Sequence, residues 1–362
     1  MDKLKELWEY DKKKAIIIGS ITLVSLIIVI LAVILLMNLF KKYDYIEIET
    51  IMVEATEKYL RQHKEYYPSE NTKDMSVDAS SLISNELMND FSKLSKDTNC
   101  IGEVHIKWNN NKYYYEPYLE CDNYQTKIIY QTLTKEEDGI YDLNGYKTYR
   151  GEFVNNYMNF AGYSWRIVKF DNTEIFLILS DTVNSKVNYV YDDRYNESIN
   201  SYRGKNTFEN SRIYDTLKNI YQNDFTNYQQ YLLTIHACAY PRSETETNVS
   251  GFVECLVTTD TMISLLPVYD YMNASLDPMC ENSISRNCSN YNYLAKASNK
   301  WWLLNGTNEN TYEVYYSDMI GKIGLASANS KNFLRPVIKI PSTLIYKNGN
   351  GSQNNPYTIQ EY

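Results

Sequence analysis

Residues 15–40 form an apolar stretch without a single charged side chain, from Ala15 to Phe40. A helix of that length, at about 1.5 Å per residue, exceeds the roughly 30 Å hydrocarbon core of a bilayer. A cleavable signal peptide has a shorter apolar region and a small-residue cleavage site after it, whereas Lys41 and Lys42 follow here. The sequence therefore predicts one transmembrane helix over 15–40, preceded by a cytoplasmic tail of residues 1–14.

The flanking charges and the cysteines predict the orientation of this helix. The tail carries five lysines, against Lys41 and Lys42 on the other side, which favours a cytoplasmic N-terminus. All six cysteines lie after the apolar stretch, and an even set of cysteines suits an oxidising exterior. We expect a single-pass plasma-membrane protein with the bulk of its chain outside the cell.

Residues 41–138 form the first predicted module. Apolar residues at helical spacing, among them Ile48, Met52 and Ala55, predict a helix that stops before Pro68. Asp78 is a candidate N-cap for a second helix that reaches about Phe91.

A hairpin is predicted between Cys100 and Cys121. Glu103–Trp108 and Lys112–Tyr118 read as strands, and Asn110 and Asn111 suit a two-residue turn because Asn tolerates positive φ. In that register Cys100 faces Cys121 at a position where side chains approach closely, so we expect a disulfide. One face of the hairpin is apolar, and we expect the other face to be the solvent side of a half-solvated sheet. The residues of that other face are Glu103, His105, Lys107, Tyr114, Glu116, Tyr118 and Glu120.

A membrane helix followed by an outer helix and a disulfide-tied sheet resembles pilin-like surface proteins in architecture. The processing signature of prepilins is missing from this sequence, and the apolar stretch contains no Glu. The resemblance therefore implies a similar module without assembly into a filament.

Residues 139–362 form the second predicted module, built of short strands. Trp165–Phe170 and Glu174–Leu179 predict a hydrophobic hairpin with a turn at Asp171 and Asn172. The segments Ser211–Tyr221 and Thr261–Leu266 read as helical. Further strands are predicted over Lys322–Leu325, Phe333–Ile340 and Pro356–Ile359.

The second module resembles an uncharacterised C-terminal domain family of surface proteins from low-GC Gram-positive bacteria. The resemblance rests on the order of short motifs, namely Gly162–Lys169, Trp301–Leu304, Gly321–Leu325, Phe333–Ile338, Asn348–Gly351 and Asn355–Tyr357. That family is distantly similar to the fold of C-type lectins and formylglycine-generating enzymes, so the resemblance implies an α+β, lectin-like domain of mostly antiparallel short strands. Neither the calcium-binding triplets of lectins nor the reactive cysteines of the enzymes can be carried over to this sequence.

The remaining cysteines, Cys238, Cys255, Cys280 and Cys288, allow three pairings. We expect Cys238–Cys255 and Cys280–Cys288, because each bond closes a loop rich in turn residues. His236 beside Cys238 suggests metal or thiol chemistry as an alternative, but the chain has three histidines and no zinc-type spacing. We predict no metal, no cofactor and no catalytic residue.

Two segments combine aromatic and acidic side chains in ways that suit a ligand. Tyr191, Asp192, Asp193 and Tyr195 lie in one run, and an exposed acidic loop is the alternative interpretation. Trp301 and Trp302 form the second segment, although adjacent residues of a strand point to opposite faces and at least one should be buried. These six residues are the predicted ligand site.

The leading functional hypothesis is a membrane-anchored extracellular protein that binds a glycan or a protein without catalysis. The alternatives are an envelope-modifying enzyme on a formylglycine-generating-enzyme-like fold and a pilin-like envelope scaffold. Nucleic acid is excluded as a partner, since 45 acidic residues outnumber 36 basic ones and no basic block occurs. No phosphate-binding loop or nucleophile elbow is present either.

Overall fold

The computed structural model describes residues 26–30, 42–136, 138–280, 282 and 292–362. The chain is mixed α/β, and its strand content of 33% exceeds its helix content of 22%. Within the described residues, no helix is long and apolar enough to cross a membrane.

The predicted fold class, an α+β chain with a single N-terminal transmembrane helix, is therefore corrected. Residues 26–30 are helical. The rest of the predicted helix and the tail of residues 1–14 lie outside the described residues.

The chain divides into two compact units that are not continuous in sequence. The first unit takes the chain up to Lys64, Val77–Val104 and Pro117–Gln125, and the second takes Glu65–Ser76, His105–Glu116 and Thr126–Tyr362. The division follows contacts and not strand ends, so several strands contribute residues to both units.

The first unit contains the helix predicted after the apolar stretch. Helix α1 (Tyr45–Gln62) begins at a capping box formed by Asp44 and Glu47, and it buries Ile48 and Met52 as the spacing predicts. The helix predicted from Asp78 to Phe91 is instead two short ones, α2 (Ala79–Ser84) and α3 (Phe91–Leu94). Glu86, at φ +58°, interrupts them, since positive φ cannot continue a right-handed helix.

The predicted hairpin is present in a four-stranded sheet with the order β1 to β4. Its strands are β1 (Asp74–Asp78), β2 (Cys100–Asn109), β3 (Lys112–Cys121) and β4 (Tyr124–Gln125). Asn110 and Asn111 form the turn, both at positive φ, and Cys100 and Cys121 are disulfide-bonded with their Cα atoms 4.1 Å apart.

Part of the hairpin face that the sequence assigns to solvent is buried. Tyr114 is 5% exposed and Glu116 is 1% exposed. The Tyr114 ring lies edge-on to Tyr231, at 5.2 Å between centroids, and Thr343 donates its hydroxyl to Glu116 at 2.9 Å. Residues distant in sequence therefore cover a face that alternation alone assigns to solvent.

A nine-stranded sheet is the core of the second unit. The described strands of this unit are β5 (Ile140–Leu143), β6 (Tyr146–Tyr149), β7 (Tyr157–Phe160), β8 (Tyr163–Phe170), β9 (Glu174–Leu179), β10 (Tyr189–Val190), β11 (Ile235–Cys238), β12 (Thr258–Thr261), β13 (Ser264–Leu265), β14 (Trp301–Gly306), β15 (Glu313–Ser317), β16 (Ile323–Ser327), β17 (Lys331–Asn332), β18 (Pro336–Pro341), β19 (Tyr346–Asn348) and β20 (Tyr357–Ile359). The nine-stranded sheet has the order β13-β18-β9-β8-β7-β20-β19, with the β5–β6 hairpin added alongside β8, and its pairs are antiparallel except β20 with β7. The other strands form smaller sheets, namely β10 with β17, β11 with β12, and β14-β15-β16.

The α-helices described in the second unit are α4 (Ile129–Leu133), α5 (Arg212–Asp224) and α6 (Val268–Asn273). Helix α5 agrees with the predicted helix, and the Ser211 hydroxyl caps it by accepting the amide of Tyr214. The helix predicted over Thr261–Leu266 is wrong. That segment contains β13, which pairs with β18, because tertiary strand pairing outweighs local propensity.

Candidate functional site

A row of four side chains crosses the large sheet of the second unit. Thr148 of β6 lies opposite Lys169 of β8, Lys169 lies opposite Phe176 of β9, and Phe176 lies opposite Lys339 of β18. Residues directly opposite one another share a face of the sheet. All four line a cavity of about 290 Å³, which we call the Lys169 pocket.

A β-bulge determines which side chain of β8 enters this pocket. Ile167 pairs with Leu177, yet Lys169 pairs with Phe176, so β8 carries one extra residue at Val168. Regular alternation would place Val168 opposite Phe176. Because a bulge re-aims the side chains that follow it, the polar Lys169 faces the cavity instead.

Lys169 is held by an acid and three aromatic rings. Its Nζ lies 2.6 and 2.8 Å from the two carboxylate oxygens of Asp270, on α6. The lysine side chain is 12% exposed and the aspartate 2%. The rings of Tyr146, Phe176 and Tyr269 have their centroids 5.1 to 5.3 Å from the same nitrogen, within cation–π range. Asp270 and the three rings therefore compensate the positive charge of Lys169 within the pocket wall.

A second ion pair lies beside the first. Lys339 Nζ is 2.6 Å from Glu174 Oε1, and the same oxygen accepts the Tyr146 hydroxyl at 2.8 Å. Burial, and then the hydrogen bond to Glu174, raise the pKa of the Tyr146 phenol above its ordinary value. Tyr146 therefore stays protonated and acts as a donor at neutral pH.

Ser264 is the unusual polar group of the pocket. It lines the cavity and is 1% exposed, and within the described part of the chain its Oγ has no hydrogen-bond partner. A buried hydroxyl without a partner costs free energy. A ligand or water in the adjoining cavity would remove that cost.

The pocket opens to solvent between Asn144, His236, Ser250 and Cys255, which are exposed residues of its wall. The Cys238–Cys255 disulfide predicted from the sequence is present at this opening. Cys288 lies outside the described residues, so Cys280–Cys288 stays a prediction.

His236 pairs with Asp260 through its Nδ1, at 2.6 Å, and both side chains are 67% exposed. Over the described ranges, no group of three or more His, Cys, Asp or Glu side chains is arranged to hold a metal ion.

Three of the four predicted ligand aromatics are buried away from solvent. Trp301, Trp302 and Tyr191 are each 0% exposed. The Tyr191 hydroxyl donates to the Leu304 carbonyl at 2.6 Å, and Trp302 Nε1 donates to the Tyr189 carbonyl at 2.9 Å. The rings of Tyr191 and Trp302 meet edge-on at 5.7 Å. These residues form core contacts.

The predicted acidic residues form ion pairs with arginines. Asp192 is buried and accepts Arg194 Nε at 2.7 Å and the Arg194 amide at 2.9 Å. Asp193 accepts Arg212 Nε at 2.8 Å at the surface. Tyr195 is 37% exposed. The structure brings Tyr191 and Trp302 together but places none of the six predicted residues in the wall of the Lys169 pocket.

Sequence reasoning missed the residues of the Lys169 pocket. The available signal is Lys169 itself, a charged residue in the first strand, Trp165–Phe170, of the predicted hydrophobic hairpin. Its partner Asp270 is 101 positions away, and no local pattern connects the two.

No protein-family model matches the chain, and no curated protein or solved structure shows significant similarity to it. The suspected family therefore stays a prediction, and the pocket is interpreted from its own chemistry.

Proposed function

We propose that this protein is an extracytoplasmic, non-catalytic binding protein that holds a small ligand in the Lys169 pocket. One observation carries the proposal: a cavity of about 290 Å³ whose wall combines paired charges, aromatic rings and the unpartnered Ser264 hydroxyl. Its volume is at the small end of the roughly 300–1,000 Å³ typical of ligand sites.

The state of the charged groups favours binding over catalysis. Lys169 is engaged by both oxygens of Asp270, and Lys339 is engaged by Glu174. A general base or nucleophile needs a group that is free to take a proton or attack. Groups that are already paired instead orient a ligand through their remaining hydrogen-bonding positions.

The disulfides support the proposed location. Cys100–Cys121 and Cys238–Cys255 are both formed, and disulfides persist in oxidising compartments outside the cytoplasm. In such a compartment, the pocket would have access to glycans and peptides outside the cytoplasm.

Blocking the pocket opening tests the proposal. Ser250 and Thr247 are exposed residues of one loop, and of the two only Ser250 lines the cavity. We expect ligands found in a thermal-shift screen of small molecules to stabilise the wild type and Thr247→Trp equally, and Ser250→Trp much less. A blank screen, or equal stabilisation of both variants, contradicts the proposal.

A further inference from the structure

We infer that the ligand of the Lys169 pocket is a neutral polyhydroxylated molecule of the sugar or polyol class. This inference rests on the proposed function, since it concerns the same pocket. It is carried by the charge balance of the two ion pairs at the pocket, by the hydrogen-bonding positions that these pairs leave unused, and by Ser264.

The ionised groups at the sheet face cancel one another. Lys169 is paired with Asp270, and Lys339 is paired with Glu174, so the two pairs have no net charge. A charged ligand entering this site would lose its hydration without gaining a free counter-ion, which is costly. The balance therefore selects against ligands with a net charge.

Both pairs retain positions for hydroxyl groups. An ammonium has three donors, and a carboxylate has about four acceptor sites. Within the described residues, Lys169 directs two hydrogen bonds to Asp270 and Lys339 directs one to Glu174. A ligand hydroxyl both donates and accepts, so it can join such a pair without breaking it.

Ser264 adds a third polar position that the protein does not use. Ser264 lines the cavity, its Oγ is buried without a partner within the described residues, and a serine hydroxyl serves as donor or acceptor. A ligand hydroxyl would satisfy the Ser264 hydroxyl either by donating a hydrogen bond to it or by accepting one from it. The rings of Tyr146, Phe176 and Tyr269 line the same cavity and would cover the C–H surface of a sugar ring.

A zwitterion, such as a free amino acid, is also neutral overall but fits less well. Its carboxylate would compete with Asp270 for Lys169. Asp270 is 2% exposed, so displacing it would leave a buried charge without a partner, and that arrangement is strongly unfavourable.

Calorimetric titration of the full chain separates these ligand classes. Glucose, glucuronate and glucosamine share a ring and differ in charge; galactose, mannose and N-acetylglucosamine vary the neutral hydroxyl pattern; alanine represents zwitterions. We expect at least one neutral sugar to bind. We expect glucuronate and glucosamine to bind at least about tenfold more weakly than that neutral sugar.

Two serine variants then test whether the pocket itself makes the contact. Ser264→Ala should weaken binding of that sugar roughly 2- to 12-fold, the value of one neutral hydrogen bond, while leaving the folded protein at least as stable. Ser342 is the matched control, because it is also buried with an unpartnered Oγ but lies outside the pocket wall. Ser342→Ala should leave the affinity unchanged.

An acid, amine or zwitterion that binds more tightly than every neutral sugar overturns the inference and leaves the proposed function standing. Equal affinities of the two serine variants also overturn it. If no neutral sugar binds, the inference fails, and the Ser250→Trp screen decides whether the pocket binds some other chemistry.

Discussion

Two regions of the second unit bring aromatic rings and carboxylates together, and they do so for different purposes. In the cluster around Tyr191 and Trp302, the polar atoms bond to the chain itself: Tyr191 to Leu304, Trp302 to Tyr189, and Asp192 to Arg194. In the Lys169 pocket, similar groups surround open volume. Aromatic and acidic side chains therefore identify a binding site only where open space adjoins them.

The largest expected effect is that of Trp302→Ala in the closed cluster. Trp302 is 0% exposed, so its removal should lower the free energy of unfolding by about 3–5 kcal/mol. Guanidinium denaturation followed by far-UV circular dichroism measures this without relying on tryptophan fluorescence. Tyr202→Ala, at a residue 71% exposed, is the control and should change little. A loss below about 1 kcal/mol for Trp302→Ala would show that this cluster is not core.

Lys169→Met breaks the ion pair of the pocket. We expect a loss of about 3 kcal/mol in the same denaturation experiment, because Asp270 would be buried without a partner. The double variant Lys169→Met/Asp270→Leu should recover most of that stability, since replacing both partners removes the buried charge. If the double variant is less stable than the single one, the pocket wall depends on more than charge compensation.

Asp171→Asn, at the β8–β9 turn next to the pocket, should have a smaller and pH-dependent effect. Burial acts to raise the pKa of Asp171, but hydrogen bonds from Thr173 and Glu174 and the nearby Lys339 lower it overall. A lowered pKa in the folded state stabilises the protein above about pH 4, and that contribution is lost as the pH falls through the folded value.

The stability difference between wild type and Asp171→Asn should therefore be present at pH 7 and shrink at acid pH in urea denaturation. A difference that is constant from pH 7 to pH 3 would mean that the carboxylate charge at this turn contributes nothing.

Arg212→Met should have the smallest effect. Arg212 and Asp193 form a surface pair, with side chains 57% and 53% exposed, and such pairs contribute little. We expect an unchanged denaturation midpoint and unchanged ligand binding, although Asp193 was among the predicted ligand residues. A loss of ligand binding in this variant would restore the acidic loop as a candidate site.

The sequence was sufficient where the signal is local. Asn110 and Asn111 form the predicted turn with positive φ, Ser211 caps the predicted helix, and Cys238 bonds to the neighbouring Cys255. Each of these features depends on residues that are adjacent or separated by one loop, so composition and spacing carry the information.

The pocket could not be predicted because its parts are distant in sequence. Thr148 and Lys339 meet on one face only after the strands between them are ordered in the sheet. The bulge at Val168, which turns Lys169 toward the cavity, has no glycine or proline to mark it. The same limit explains Tyr114 and Glu116, whose burial depends on Tyr231 and Thr343.

Hydrogen–deuterium exchange of the full chain tests the comparison between the two regions most directly. A saturating neutral sugar selected by calorimetry should slow exchange in peptides covering β13 and α6, residues 264–273, which contain Ser264 and Asp270. Exchange in residues 189–195, which contain Tyr191 and Asp192, should be unchanged. Protection of residues 189–195 without protection of 264–273 would contradict the assignment of the Lys169 pocket as the ligand site.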